Sequence, residues 1–143
     1  MAVGDEVLII AVGSMVYPAL AVRDILKAKG ISSTVINARF IKPLDNELIS
    51  DAVQKHRCCV TMEENVLAGG FGSAVLELLA QNGIEGVKCL NIGLPDEFIT
   101  HGPVEVLKDL LELTPEKMAD KIVSRFELKG KKTKTITLNF NKR

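Results

Sequence analysis

Apolar residues recur along this chain in two rhythms that take turns. Continuous or alternating apolar runs at "EVLIIAV" (6–12), "STVINA" (33–38), "CCVTM" (58–62) and "VKCLNI" (87–92) fit strands, and a looser alternation in "KTITLNF" (134–140) offers a fifth. Between the first four the period lengthens to that of a helix. Val16, Leu20, Ile25 and Leu26 share one side of a helix expected over 16–29, and Leu48, Ile49, Ala52 and Val53 do so over 46–56, with Asp45 as N-cap after Pro43. Ala74, Val75, Leu78 and Leu79 mark a third over 70–81. Two more helices are expected over 103–111 and 115–127. The second opens on "TPEK", where Thr114 caps and Pro115 takes the first helical position, and Met118, Ala119, Ile122, Val123 and Phe126 form its apolar stripe.

Strand and helix in regular alternation predict an α/β fold: a three-layer α/β/α sandwich with a mostly parallel sheet covered on both faces. Residues 1–127 make the domain, and 128–143 a basic tail, "LKGKKTK" giving way to "TITLNFNKR". That tail fits either an added edge strand or a disordered terminus. In open parallel sheets, ligands sit beyond the carboxyl ends of the strands, where strand order reverses. "GSMVYP", "EENVLAGGFG" and "LPDEFITHG" all fall at such ends, so they should line one edge together.

Composition narrows the function classes. The chain carries no formal net charge at pH 7, and its aromatics are one Tyr and five Phe without Trp, which supplies neither a basic stripe nor stacking platforms for nucleic acid. Its apolar runs are far short of the roughly 20 residues that span a bilayer, and "MAVGDEVLII" lacks a basic leader and cleavage site, so a cytoplasmic location is expected. Cys58, Cys59 and Cys89 show no C-x-x-C spacing; the adjacent pair points to opposite faces of a strand, and buried reduced thiols are expected. With His56 and His101 as the two imidazoles, no metal site is expected.

Four stretches carry candidate chemistry. In "AGGFGSAV", Gly70-Phe71-Gly72 resembles the start of a dinucleotide fingerprint, yet the third glycine position is Val75, a seven-residue polar loop precedes it, and position 91 is Asn rather than an acid. The reading preferred for Gly69 and Gly70 is a turn into the helix with close helix–sheet packing, alongside Gly72, while the helix start stays open to an anion from a neighbouring chain. Glu63 and Glu64 in "MEEN" diverge on an extended segment and are poor partners for one another, so a solvent-exposed or interface role is expected. His101 beside Asp96 and Glu97 fits contact with substrate or an interface, or plain loop structure. Ser14 lacks the G-x-S-x-G elbow of a nucleophile and is expected to cap a helix with Gly13 as the turn residue.

Taken in order, "GDEVLIIAVGS", "ARFIKPLD", "TMEENVLAGGFGSAVLELL" and "LPDEFITHG" resemble the C-terminal domain of the transketolase superfamily of thiamine diphosphate enzymes, over residues 4 to about 126. With "LTPEKMADKIV" following, the likeness is greatest to the 1-deoxy-D-xylulose-5-phosphate synthases; transketolases and pyruvate dehydrogenase beta subunits share the "PLD" and "GGFG"-like elements but end differently. The resemblance implies a homodimeric transferase that joins pyruvate, after decarboxylation, to glyceraldehyde 3-phosphate, feeding isoprenoid, thiamine and pyridoxal synthesis. It implies that thiamine diphosphate and Mg are held by the other domains, through a Gly-Asp-Gly motif and an activating glutamate that this sequence does not contain, so no catalytic residue is expected here and the isolated chain should be inactive. It further implies a five-stranded mixed sheet whose antiparallel edge strand would lie before residue 1, and an interface role for Glu63, Glu64, Asp96 and His101. Two other readings remain open: a free-standing module that docks on separately encoded catalytic chains, and an independent nucleotide or phosphate binder using "AGGFGSA".

Overall fold

The computed structural model describes residues 6–94 and 104–131, with Val66, Val104 and Glu105 described in backbone only. Four strands, β1 (Val7–Ala11), β2 (Ser33–Asn37), β3 (Cys58–Val66) and β4 (Lys88–Leu94), form a sheet in the order β2-β1-β3-β4. Every pairing is parallel, with Val7 opposite both Ser33 and Cys58, and Cys59 opposite Cys89. Helices α1 (Val16–Ala28), α2 (Asn46–Gln54), α3 (Phe71–Gln81), α4 (Val104–Leu110) and α5 (Pro115–Phe126) connect or follow them. The expected α/β/α sandwich is thus present. The expected strand over 134–140 lies outside the described residues.

Burial on both faces explains why the strands are so apolar. All five residues of β1 are buried, and the sheet separates two cores. Val7, Ile9, Cys58, Val60 and Met62 face Val22 and Leu26 of α1 and Met118, Ile122 and Phe126 of α5. Leu8, Ile10, Ile36 and Cys59 face Ile49 and Val53 of α2 and Phe71, Val75, Leu78 and Leu79 of α3. Cys58 and Cys59 point to opposite faces, as successive strand residues must.

Helix starts follow the local chemistry in two cases and depart from it in a third. Leu48 N–H donates to Asp45 Oδ1 at 3.1 Å, and Lys117 N–H to Thr114 Oγ1 at 3.3 Å, so both expected caps are made. Asp45→Ala and Thr114→Ala should each lower stability by about 1 kcal/mol, the usual worth of a cap, in urea denaturation. Ser14 does not cap. Gly13 turns the chain at φ +61°, but it opens a 3-10 turn (Gly13–Met15) that feeds straight into α1, leaving Ser14 exposed inside that turn with neither helix start capped by a side chain.

Strand β3 is longer than its apolar run suggests. It continues through "MEEN" to Val66 because pairing with β4 resumes after a register shift between Met62 and Val66. The expected seven-residue loop therefore shrinks to the turn Leu67–Gly70 before α3.

Candidate functional site

Strand order reverses between β1 and β3, so the edge beyond their carboxyl ends is where this fold places ligands or partners. Two of the three expected segments are described there, the Gly13–Met15 turn and the end of β3 with its Leu67–Gly70 turn. Pro95–Pro103, with Asp96, Glu97 and His101, lies outside the described residues. Beside the reversal point the edge presents Tyr17 at 81% exposure and, beyond β2, Phe40 at 73%. Phe40, Pro43, Leu44 and Leu48 line a mostly apolar groove of about 450 Å³.

Beneath α3 the sheet face changes character along two neighbouring strands. Cys59, Thr61 and Glu63 of β3 recur at the strand period of two, and Cys89, Asn91 and Gly93 of β4 run beside them. Thr61 Oγ1–H donates to Asn91 Oδ1 at 2.7 Å. Glu63, fully buried, accepts from Phe71 N–H through Oε2 at 2.8 Å and from Gly72 N–H through Oε1 at 3.0 Å. Both oxygens thus serve the first turn of α3, where orphan amides and the positive end of the helix dipole favour a carboxylate.

This arrangement needs glycine at position 72. A Cβ there would lie 2.5 Å from Asn91 Cγ and 2.6 Å from Thr61 Oγ1, so only a hydrogen lets α3 settle onto the Thr61–Asn91 pair. Gly93 clears a path in the same way, because a Cβ on it would meet Leu67 Cδ2 at 2.8 Å and Glu63 Cγ at 3.1 Å. Gly69 makes the turn at φ +69°, and Gly70 is the extended residue before the helix. Of the expected glycines, then, Gly69 and Gly70 shape the turn, while close helix–sheet packing falls to Gly72.

Two expectations are corrected. Glu63 does not face solvent: it is fully buried within the chain and each of its oxygens accepts from an α3 amide, whereas Glu64, pointing the other way, is exposed. For the same reason the start of α3 is not open to an outside anion, because an internal carboxylate already holds its first two amides and would repel a phosphate. These residues therefore do not fit the diphosphate of a thiamine cofactor. His56 is also committed: Nδ1–H donates to Ala52 O at 2.6 Å, since a carbonyl can only accept, and Nε2 meets Thr34 Oγ1 at 3.0 Å. Among the described residues no helix is long and apolar enough to cross a membrane.

Chemically, the cluster fixes geometry. It fastens the start of α3, and with it the Leu67–Gly70 turn, to the carboxyl edge of β3 and β4. Spacing in "CCVTMEE" carries a trace of it, with Thr61 and Glu63 on the same side as Cys59, but the alternation reads as polar-outward until the sheet is known to be covered on that face.

Known proteins place this architecture. The family model for the transketolase C-terminal domain matches residues 2–118. A 1-deoxy-D-xylulose-5-phosphate synthase of Parasynechococcus marenigrum is 48% identical over 128 residues, which is 90% of this chain and 20% of that protein. The 1-deoxy-D-xylulose-5-phosphate synthase 1 of Geobacter sulfurreducens is 54% identical over 108 residues, 76% of this chain and 17% of its own. The chain thus spans about a fifth of the length of these curated relatives. Among solved structures, a split gene transketolase in an inactive beta4 tetramer superposes with a TM-score of 0.79 at 30% identity, over 90% of this chain and 41% of the other. Transketolase mutants of Pichia stipitis match in fold, with a TM-score of 0.57 at 16% identity over 86% of this chain and 16% of theirs. On its sequence and its fold, the chain belongs to the transketolase C-terminal domain family.

Proposed function

We propose that this chain works as the C-terminal domain of a 1-deoxy-D-xylulose-5-phosphate synthase, a thiamine-diphosphate-dependent transferase that condenses pyruvate with glyceraldehyde 3-phosphate. Identity of 54% over 108 residues to a protein of that name carries the reading. The buried Glu63 cluster supports a division of labour within it: this domain builds a rigid edge, and the other domains hold thiamine diphosphate and Mg. Tyr17, Phe40 and Glu64 on that edge are suited to contact with those domains or with the second subunit of a homodimer. The segment holding Asp96 and His101 follows β4 in sequence, and in this reading it borders the active site.

The test joins this chain with a second chain carrying the other two domains and measures thiamine-diphosphate-dependent formation of deoxyxylulose phosphate. Restored turnover is expected, with neither chain active alone. In the joined enzyme, His101→Ala should raise KM for glyceraldehyde 3-phosphate or weaken dimerisation while leaving pyruvate decarboxylation intact. Loss of decarboxylation alone would move His101 into the cofactor chemistry. Failure of two folded chains to associate would remove the reading.

A second reading keeps the fold and changes the assembly: a docking module for separately encoded catalytic chains. Similarity to the split gene transketolase favours it. An antibody to this domain separates the two in cell extract, since a band of full synthase size supports the first and a band well below that size the second.

A further inference from the structure

Cys59 and Cys89 stand opposite each other in the parallel register of β3 and β4, with their side chains on the face that carries α3. Paired strands lie about 4.7–4.9 Å apart, inside the roughly 4.4–6.8 Å between Cα atoms that a disulfide spans. The two thiols differ in surroundings. Cys59 is buried at 1% exposure in the apolar core, whereas Cys89 is half-buried and lines a cavity of about 370 Å³ with Leu76, Leu79, Ile84 and Glu85. Cys58, one residue away, faces the opposite core and has no such partner on its own face.

We propose that Cys89 and Cys59 form a peroxide-responsive dithiol, in which a hydroperoxide entering from the cavity oxidises Cys89 and Cys59 then closes a disulfide between β3 and β4. In the first step the Cys89 sulfur attacks one peroxide oxygen. A sulfur–oxygen bond forms, the oxygen–oxygen bond breaks, and the departing hydroxide leaves as water, giving a sulfenic acid. In the second step the Cys59 sulfur attacks that sulfur, the sulfur–oxygen bond breaks, and the Cys59 proton leaves with the hydroxyl as a second water. Two thiols are oxidised and one peroxide is reduced.

The electrostatics support this order of events. The Cys59 thiol beside it favours the Cys89 thiolate and lowers its pKa to about 7 against the opposing effect of burial, while the neighbouring Cys89 and burial push Cys59 well above 9.0; as a thiol, Cys89 donates its Sγ–H to Val87 O at 3.8 Å. The ionisable groups around the pair are Cys58 across β3, Lys88 beside Cys89 on β4 and Glu85 at the cavity wall. A more exposed thiolate paired with a protonated neighbour is the arrangement in which the first attacks and the second resolves.

Hydrogen peroxide followed by peptide mapping of the intact chain tests this. Peptides containing Cys59 and Cys89 should appear cross-linked, with the loss of two hydrogens and reversal by dithiothreitol, and Cys58 should stay reduced. Cys89→Ser should abolish the cross-link. Cys59→Ala, which buries no new hydroxyl, should leave Cys89 as a sulfenic acid that dimedone captures, and circular dichroism confirms that this variant is folded. Iodoacetamide labelling of Cys89 against pH should have a midpoint near 7 in the wild type, moving towards 9.0 in Cys59→Ala. Oxidation of Cys58 as readily as Cys89, a Cys89 bridge between chains in place of the internal one, or an unchanged midpoint in Cys59→Ala would each overturn the proposal.

Discussion

Replacing Glu63 by alanine is expected to cost about 3 kcal/mol of stability, on the grounds that each hydrogen bond to a charged group contributes roughly 1.5–3 kcal/mol and buried donors left behind carry a further penalty. Both bonds of the carboxylate go to the amides of Phe71 and Gly72, and the side chain is fully buried. Water cannot readily replace it under a helix packed against the sheet. Glu63→Gln keeps the volume but turns an amide donor towards one of two backbone donors, so it should lose about 2 kcal/mol rather than recover the wild-type value. Chemical denaturation reads both losses, and hydrogen exchange at Phe71 and Gly72 shows whether the start of α3 opens first. A change below about 0.5 kcal/mol for Glu63→Ala, the range of an ordinary surface substitution, would mean that the buried carboxylate is not what secures this helix.

Gly72→Ala is expected to destabilise the domain by roughly 1–3 kcal/mol, the usual range for overpacking, and the sign matters more than the size. Alanine in place of glycine in a helix interior gains up to about 1 kcal/mol from backbone propensity alone. Here that gain meets a methyl group 2.5 Å from Asn91 Cγ and 2.6 Å from Thr61 Oγ1. Either α3 lifts from the sheet, lengthening the Glu63 bonds, or the Thr61–Asn91 pair moves apart. Asn91→Ala removes the nearest obstacle, so the double variant Gly72→Ala/Asn91→Ala should lose less than the sum of the two single losses, by about 0.5 kcal/mol or more. Strict additivity, or a stabilising Gly72→Ala, would show that the helix start has slack that the packing denies.

The consequence for function lies at the carboxyl edge. If α3 shifts, the Leu67–Gly70 turn shifts with it, because Leu67 N–H is bonded to Leu94 O at 3.0 Å and Gly70 leads into the helix. That turn follows the carboxyl end of β3, and the segment holding Asp96 and His101 follows β4 in sequence. Thus variants at Glu63 and Gly72 should weaken docking of the other domains of the proposed synthase in proportion to their loss of stability.

Much of the architecture was legible in the order of residues. Apolar strands of the length buried on both faces, helical stripes between them, and the caps Asp45 and Thr114 are local signals, each satisfied by neighbours within a few positions, and they led to a covered parallel sheet and five helices. Family resemblance read from "EVLIIAVGS", "ARFIKPLD" and "GGFGSAV" agrees with the family that the relatives show. Failures had a common cause. Glu63 was expected to be solvent-exposed or at an interface and is not exposed, and the α3 amides were expected to be open, because a Glu on a strand reads as polar-outward when its face is unknown; Ser14 was expected to cap because the 3-10 turn that displaces it depends on how β1 leaves the sheet.

Sequence by itself, then, determined which segments become strands and helices and to which family they belong, since periodicity, caps and motifs act over a few residues. Only the tertiary structure decided what Glu63, Gly72, Cys59 and Cys89 do, because each acts on a residue from another element: Glu63 on the amides of α3, Gly72 on the Thr61–Asn91 pair of two strands, and Cys59 on Cys89 across a register that parallel pairing sets. A parallel ladder joins residues thirty positions apart, as Thr61 and Asn91 are, and no local pattern encodes that register.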